Sequence, residues 1–205
     1  MLLAAPASRA AEAILSHRSF VCTARLSKNE GGTPHVEESS WRGKVGGMSE
    51  DEREEFLARG KLMRVACLKP DGSPYIAVCW HDWHDGHFWL VPRQRSRWAE
   101  FLERDGRLSF VIDDEKTLEK VIGDGVAEVV ERPNVGGGWV EVATRMALRY
   151  LGENGPGYLT PTLHQPRWLF RFEPFNVRTW QGVGWARRYW VDTPGGPTYE
   201  EAHSA

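Results

Sequence analysis

Arg93, Arg95 and Arg97 fall within five residues of one another, with Ser96 among them, in the stretch VPRQRSRWAEFLERDGR. The preceding HFWLVP reads as a strand, and Gln94 to Arg104 reads as a helix that begins around Ser96. The cluster therefore sits at a helix N-terminus. Backbone N–H groups there lack partners, and the helix dipole favours an anion. Ser96 can cap the helix or donate its hydroxyl to that anion. Each guanidinium can make two parallel charged hydrogen bonds to a phosphate. On strand-like backbone Arg93 and Arg95 point the same way, so both reach one group. The pattern points to phosphate binding. The competing reading is a solvated surface cluster paired to Glu100 and Glu103.

Other chemistry-bearing residues point less far. WHDWHDGH holds His81, His84 and His87. With Asp85-Gly86 as a two-residue turn, His84 and His87 face each other on one face with Asp82 and Trp89. His81 then falls on the other face with Trp83 and Phe88. At most two imidazoles and one carboxylate converge, short of the four ligands of a closed zinc site, so no metal is expected. There is no GxSxG, and no cysteine stands beside a histidine. Asp113-Asp114-Glu115 reads as a solvated strand end, so no catalytic side chain is expected. Cys22, Cys67 and Cys79 form no CxxC pair. Such an odd, sparse set fits a reducing, cytoplasmic setting. Cys67 and Cys79 read as small buried hydrophobes.

These residues are embedded in a chain of 205 residues, enough for one good core. It is 41% hydrophobic and 26% charged, as in soluble globular proteins. The net charge of −2 argues against a nucleic-acid partner, and no apolar run is long enough for a membrane span. Residues 1–47 differ from the rest. Residues 1–29 are Ala- and Ser-rich and carry one acid, Glu12, weakly like a transit peptide. Residues 29–47 have linker chemistry. The folded domain is expected over 48–190, with 1–47 an extension, Met48 a candidate natural start, and 191–205 a tail.

The elements that must position the arginines follow from pattern. Ser49 with Glu52 forms a capping box, and Gly60 is expected to stop the helix between them. Strands are expected at Leu62 to Lys69, Pro74 to Trp83, His87 to Pro92, Arg107 to Asp114 and Lys120 to Glu131. The first two are joined by the Pro70–Ser73 turn. Gly123 and Gly125 suggest a bulge or a close backbone approach in the fifth. Gly138 to Gly152 carries an apolar stripe of helical period. Gly152 to Pro166 reads as a loop. Arg167 to Pro174 and Asn176 to Gly182 read as the last strands. Antiparallel hairpins with few helices close most naturally into a barrel, which removes exposed edges.

Taken in order, these pieces resemble the pyridoxamine 5'-phosphate oxidase-like flavin and deazaflavin proteins. GKLMRVACLKPDGSPYIAVCWHDWHDGHFWLVPRQRSRWAEFLERDGRLSFVIDDE and GDGVAEVVE, with the later WVEVATRMALRYLGENGPGYLTPTLHQPRWLFRF and RTWQGVGW, carry the resemblance, over about residues 49–190. It implies a mainly β fold with a few helices, a Greek-key antiparallel split β-barrel of the FMN-binding type. It also implies a homodimer with two cofactor sites at its interface. The cofactor is FMN in many members and the deazaflavin coenzyme F-420 in others. Its phosphate would lie at Arg93, Arg95 and Ser96, with Arg97 adding charge. The backbone of Val78, Cys79 and Trp80 would follow the isoalloxazine edge, and Trp180 and Gln181 of the partner subunit would cover it. Two positions depart from the family pattern. Trp98 stands where many members have a phosphate-binding Lys, and Ser73 where many deazaflavin-type members have a basic residue. Residues matching the oxidase's own substrate-phosphate site are absent near the C-terminus. The resemblance thus implies an oxidoreductase acting on a small conjugated substrate. The alternatives are a non-catalytic flavin or haem carrier or sensor on the same fold, and an interaction protein whose arginines meet an acidic partner.

Overall fold

The computed structural model describes residues 45–182. Cys22, most of the 1–47 extension, the expected domain end at 190 and the 191–205 tail lie outside the described residues.

Helix α1 (Glu50–Ala58) begins at the capping box. Ser49 Oγ accepts from Glu52 N at 3.3 Å, and Glu52 Oε2 accepts from Ser49 N at 2.6 Å. The chain leaves the helix in extended backbone at Arg59, so Gly60 is not the stop that the sequence suggested. Strands β1 (Met63–Leu68) and β2 (Pro74–Cys79) form the first hairpin. The expected second strand to Trp83 is two strands. Pairing with β1 ends at Cys79, and β3 (Asp82–His84) instead joins β4 (His87–Leu90). Their turn puts both Asp85 and Gly86 at positive φ, 51° and 72°, the backbone that a tight two-residue hairpin requires. Helix α2 (Arg97–Arg104) and β5 (Arg107–Asp113) follow.

The expected fifth strand also divides, into β6 (Lys120–Val126) and β7 (Glu128–Asn134). The break is at Ala127: its N–H still donates to Gly106 O at 2.7 Å, extending the β5–β6 register by one pair, and from Glu128 the chain pairs with β8 instead. Helix α3 (Trp139–Leu151) follows β7. The segment expected to be a loop is helical in short pieces: 3-10 turns at Gly152–Asn154 and Thr160–Thr162 flank α4 (Gly155–Leu159). Pro156 is compatible with this because it lies in the first turn of α4, where no intrahelical N–H bond is lost. Strands β8 (Arg167–Phe172) and β9 (Phe175–Trp180) complete the chain.

Two antiparallel sheets result, ordered β2-β1-β5-β6-β9 and β3-β4-β8-β7. The chain passes from one sheet to the other at residues 80–81, through α2, at Ala127 and between β8 and β9, giving the split-barrel arrangement. Register shifts between Ile122 and Asp124, and a Cβ on Gly125 would stand 2.4 Å from the Phe172 ring. Both the bulge and the close approach are present in β6. Inside, Phe88, Phe110 and Phe172 pack with ring centroids 5.0–5.6 Å apart. A second core forms where the stripe of α3, including Trp139, Val142 and Met146, covers Leu169 and Leu159. Among the described residues no helix is long and apolar enough to cross a membrane.

Candidate functional site

The arginine segment lies where three elements meet. Past β4 the chain runs beside the start of β8. Trp168 N donates to Pro92 O at 3.0 Å, Gln94 N donates to Pro166 O at 2.9 Å, and Arg93 pairs with Arg167 in an isolated antiparallel bridge. The chain then turns, with Ser96 N donating to Arg93 O at 2.9 Å, and α2 starts. Ser96 occupies the N-cap position, but its hydroxyl makes no capping bond, so it remains available to a ligand at the helix N-terminus.

Arg93 and Ser96 line a cleft of about 340 Å³. Val78, Cys79 and Trp80 form one wall of it. Helices α3 and α4 add Met146, Tyr158 and Leu159 to the lining, with the Tyr158 ring 5.5 Å from that of Trp80. Trp98, half-buried against the barrel core, also reaches the cleft, as does Arg167. The strand-two residues singled out from the sequence thus share a cleft with Arg93 and Ser96.

The other candidates lie elsewhere. Alternation along a strand ends at Arg93, because residues 94–95 form a turn, and Arg95 does not line the cleft. Arg97 follows α2 outward, with Nε 3.8 Å from Glu100 and its guanidinium over the Phe101 ring. Trp180 pairs with Lys120 at the end of β9, and Gln181 bridges to Gly46; neither lines this cleft within the chain.

Sequence reading missed Arg167, which stood at the end of a Gly/Pro-rich segment with no neighbour in sequence to pair with. Its Nη2 donates to Thr162 Oγ1 at 2.7 Å, and its guanidinium lies 5.3 Å from the Trp139 ring. Its Nε is buried without a partner. Burial, and next the neighbouring Arg93 cation, pull its pKa below the usual arginine value. Among the described residues no carboxylate lies within 4.0 Å of Arg93, Arg95 or Arg167, so the cleft holds two guanidinium groups and no counter-charge. This donor set, two guanidinium groups and an unengaged hydroxyl at a helix N-terminus, suits the phosphate end of a flavin-type cofactor.

Behind Trp80 lies a buried polar cluster. His81 and Asp82 are fully buried. Asp82 Oδ2 accepts from Arg145 Nε at 2.7 Å; its Oδ1 lies 2.8 Å from Arg149 Nη2, close enough for an ion pair but outside hydrogen-bond geometry. The Tyr150 hydroxyl donates to Lys61 O at 2.7 Å, so its oxygen accepts from His81 N at 3.2 Å and from Nδ1–H at 3.0 Å. Burial, followed by the Arg149 charge, lowers the His81 pKa to about 3, and the ring is neutral. Burial pushes the Cys79 thiol up to about 12, so it is protonated and a poor nucleophile. Among the described residues no group of three or more His, Cys, Asp or Glu is placed to hold a metal. His84 and His87 pair across the hairpin tip.

A sequence model of the pyridoxamine 5'-phosphate oxidase family matches residues 49–181. Among solved structures, conserved hypothetical protein Rv2991 from Mycobacterium tuberculosis is 28% identical, with a TM-score of 0.55 over 66% of this chain and 86% of that one. HutZ, the heme storage protein from Vibrio cholerae, is 24% identical, with a TM-score of 0.51 over 66% and 96%. An F420 reductase is 19% identical, with a TM-score of 0.50 over 60% and 94%. No curated protein matches the sequence significantly. The family match spans every described element from α1 through β9, and the sheet order is that of a split barrel. The chain belongs to the pyridoxamine 5'-phosphate oxidase family.

Proposed function

We propose that the protein is a flavin- or deazaflavin-dependent oxidoreductase acting on a small conjugated substrate. FMN is the first choice of cofactor, and its phosphate is held at Arg93 and Ser96. The observation that carries this reading is the cleft itself. Its lining holds Arg93, Arg167 and Ser96 at the N-terminus of α2, includes no carboxylate, and is otherwise largely aromatic and apolar, with Trp80, Trp98, Met146 and Tyr158. A flavin, when bound, supplies hydride or single-electron transfer through its ring. The chain's own part is to bind and orient. Arg93 and Ser96 fix the anionic end, and the aromatic walls exclude water from the rest. Cys79 stays protonated and enters no covalent step. This division of labour fits the lack of a side-chain nucleophile in the sequence.

The homodimer belongs to the same reading. Ile76, Val78, Val126 and Phe175 are 67%, 58%, 51% and 49% exposed on the outer face of the five-stranded sheet. Val78 also lines the cleft, so a second copy seated on this face would border the cofactor. The same face carries Arg64, Arg107 and Asp124 between these residues, and exposed apolar groups set among polar ones are the composition of an interface.

The same fold occurs in a heme storage protein and in an F420 reductase, so fold alone does not separate storage from turnover. The test is a titration of the purified protein with FMN, with the deazaflavin and with haem, followed by reduction with NADPH or reduced deazaflavin. The expected result is a flavin-loaded species at twice the chain mass by light scattering that is reduced and reoxidised catalytically. Arg93→Ala should weaken FMN by about 2 kcal/mol or more, whereas Arg97→Ala should leave it unchanged. Haem binding with no flavin binding would sink the oxidoreductase reading.

A further inference from the structure

We propose that Arg167, acting with Arg93, holds the two charges of a phosphate monoester, so that the cleft selects a cofactor ending in a monoester over one that continues as a phosphodiester. This rests on the reading of the cleft as a cofactor site and adds to it the residue and the charge that decide which cofactor enters.

The two arginines face each other across the bridge between the end of β4 and the start of β8. Like charges directly opposite in an antiparallel pair repel. Ordinary structural demands on Arg167 account for only part of its side chain. Nη2 serves Thr162 and the guanidinium face lies against Trp139, while Nε is buried with nothing to donate to. Arg93, exposed at the cleft end, has no carboxylate partner among the described residues. Two guanidinium groups on bridged residues that line one cleft, with no carboxylate partner among the described residues, favour an anion between them.

The number of charges identifies that anion. A phosphate monoester carries about −1.5 to −2 near neutral pH, with a second pKa of about 6. A phosphodiester carries one negative charge. Two guanidinium groups, the Ser96 hydroxyl and the partial positive charge at the α2 N-terminus together match the monoester better. Trp98 fits the same logic. Its indole packs on the barrel core, so α2 offers no cation at that position, and β8 supplies the second one instead.

The experiment measures dissociation constants of the full chain for FMN, for riboflavin (which lacks the phosphate) and for the deazaflavin phosphodiester. Wild type, Arg167→Met, Arg167→Lys and Arg93→Met are compared, with circular dichroism to confirm folding. Wild type should prefer FMN to both of the others. Arg167→Met should lose at least about tenfold in FMN affinity while riboflavin stays within about twofold, and Arg167→Lys should recover part of the loss. Wild-type FMN affinity should fall as pH drops through about 6, where the monoester loses its second charge, and Arg167→Met should flatten that profile. A purely structural role for Arg167 predicts neither the riboflavin control nor the flattened profile. Should Arg167→Met not fold, the wild-type and Arg167→Lys measurements still decide. Equal wild-type affinity for FMN and the phosphodiester overturns the proposal, and so does an Arg167→Lys protein with an unaltered FMN-to-riboflavin ratio. If Arg93→Met collapses that ratio and the Arg167 variants do not, only the role of Arg167 falls. If none of the variants changes it, the cofactor reading falls as well.

Discussion

The Trp80 indole lies flat on the Tyr150 phenol ring, with centroids 4.8 Å apart and planes within 8°. Trp80 lines the cleft, and Tyr150 belongs to α3 behind it. The Tyr150 hydroxyl is held by Lys61 and His81, so a cleft wall is backed by a hydrogen-bond cluster whose residues do not line the cleft.

Tyr150→Phe keeps the stack and removes the hydroxyl. It leaves Lys61 O, His81 N and His81 Nδ1 without their shared partner, so stability should fall by about 1–3 kcal/mol in urea unfolding. Flavin affinity should change little. Tyr150→Leu removes the ring as well, and affinity should then drop with stability. An unfolding midpoint for Tyr150→Phe equal to wild type would mean that these groups find other partners.

The buried imidazole of His81 gives stability a defined pH dependence. Its folded pKa of about 3 lies below the ordinary 6.5, so between those values the unfolded chain binds a proton that the native state refuses. The contribution of neutral His81 is fully present above about 6.5 and is lost as pH falls towards about 3. Proton-detected titration should find the His81 ring still neutral at about pH 5, and His81→Phe should show a shallower loss of melting temperature over this range. A His81 resonance that titrates near 6.5 would contradict the burial argument.

Gly155 locks the second cleft wall. A Cβ there would stand 2.4 Å from both the carbonyl carbon and the oxygen of Ala147, which is helical backbone that cannot move aside. Gly155→Ala should cost about 1–3 kcal/mol by overpacking, and it should weaken flavin binding by displacing Tyr158 and Leu159. Gly157→Ala, with nothing within 4 Å of the added carbon, should be neutral or slightly stabilising. Calorimetry and flavin titration of the pair test this. Identical behaviour of the two variants would show that α4 is not held by this contact.

Much of this was local enough to be legible in the sequence. The capping box at Ser49, the Asp85-Gly86 turn, the apolar stripe of α3 and the start of α2 at Ser96 all depend on residues within one turn or hairpin of each other. Alternation located the strands for the same reason, since side-chain period is a property of each strand alone. It could not show that two of the strands are broken. Residues 74–84 and 120–134 keep their β-rich character through the corners at Trp80-His81 and Ala127. Only pairing to different neighbours reveals the switch of sheet. The segment after α3 reads as a loop because Gly and Pro break helices locally, whereas docking on α3 sustains α4.

The arginines divide along the same line. Sequence alone determined that an anion-seeking cluster stands where a strand hands over to a helix, because charge, strand period and helix start are all encoded within Val91 to Arg107. Only the tertiary structure decided which arginines share the cleft. The turn after Arg93 carries Arg95 and Arg97 away, and the pairing of the β4 end with β8 brings in Arg167 from a distant part of the chain. Strand pairing is a long-range choice made by burying the barrel core, and no spacing within the arginine segment records it.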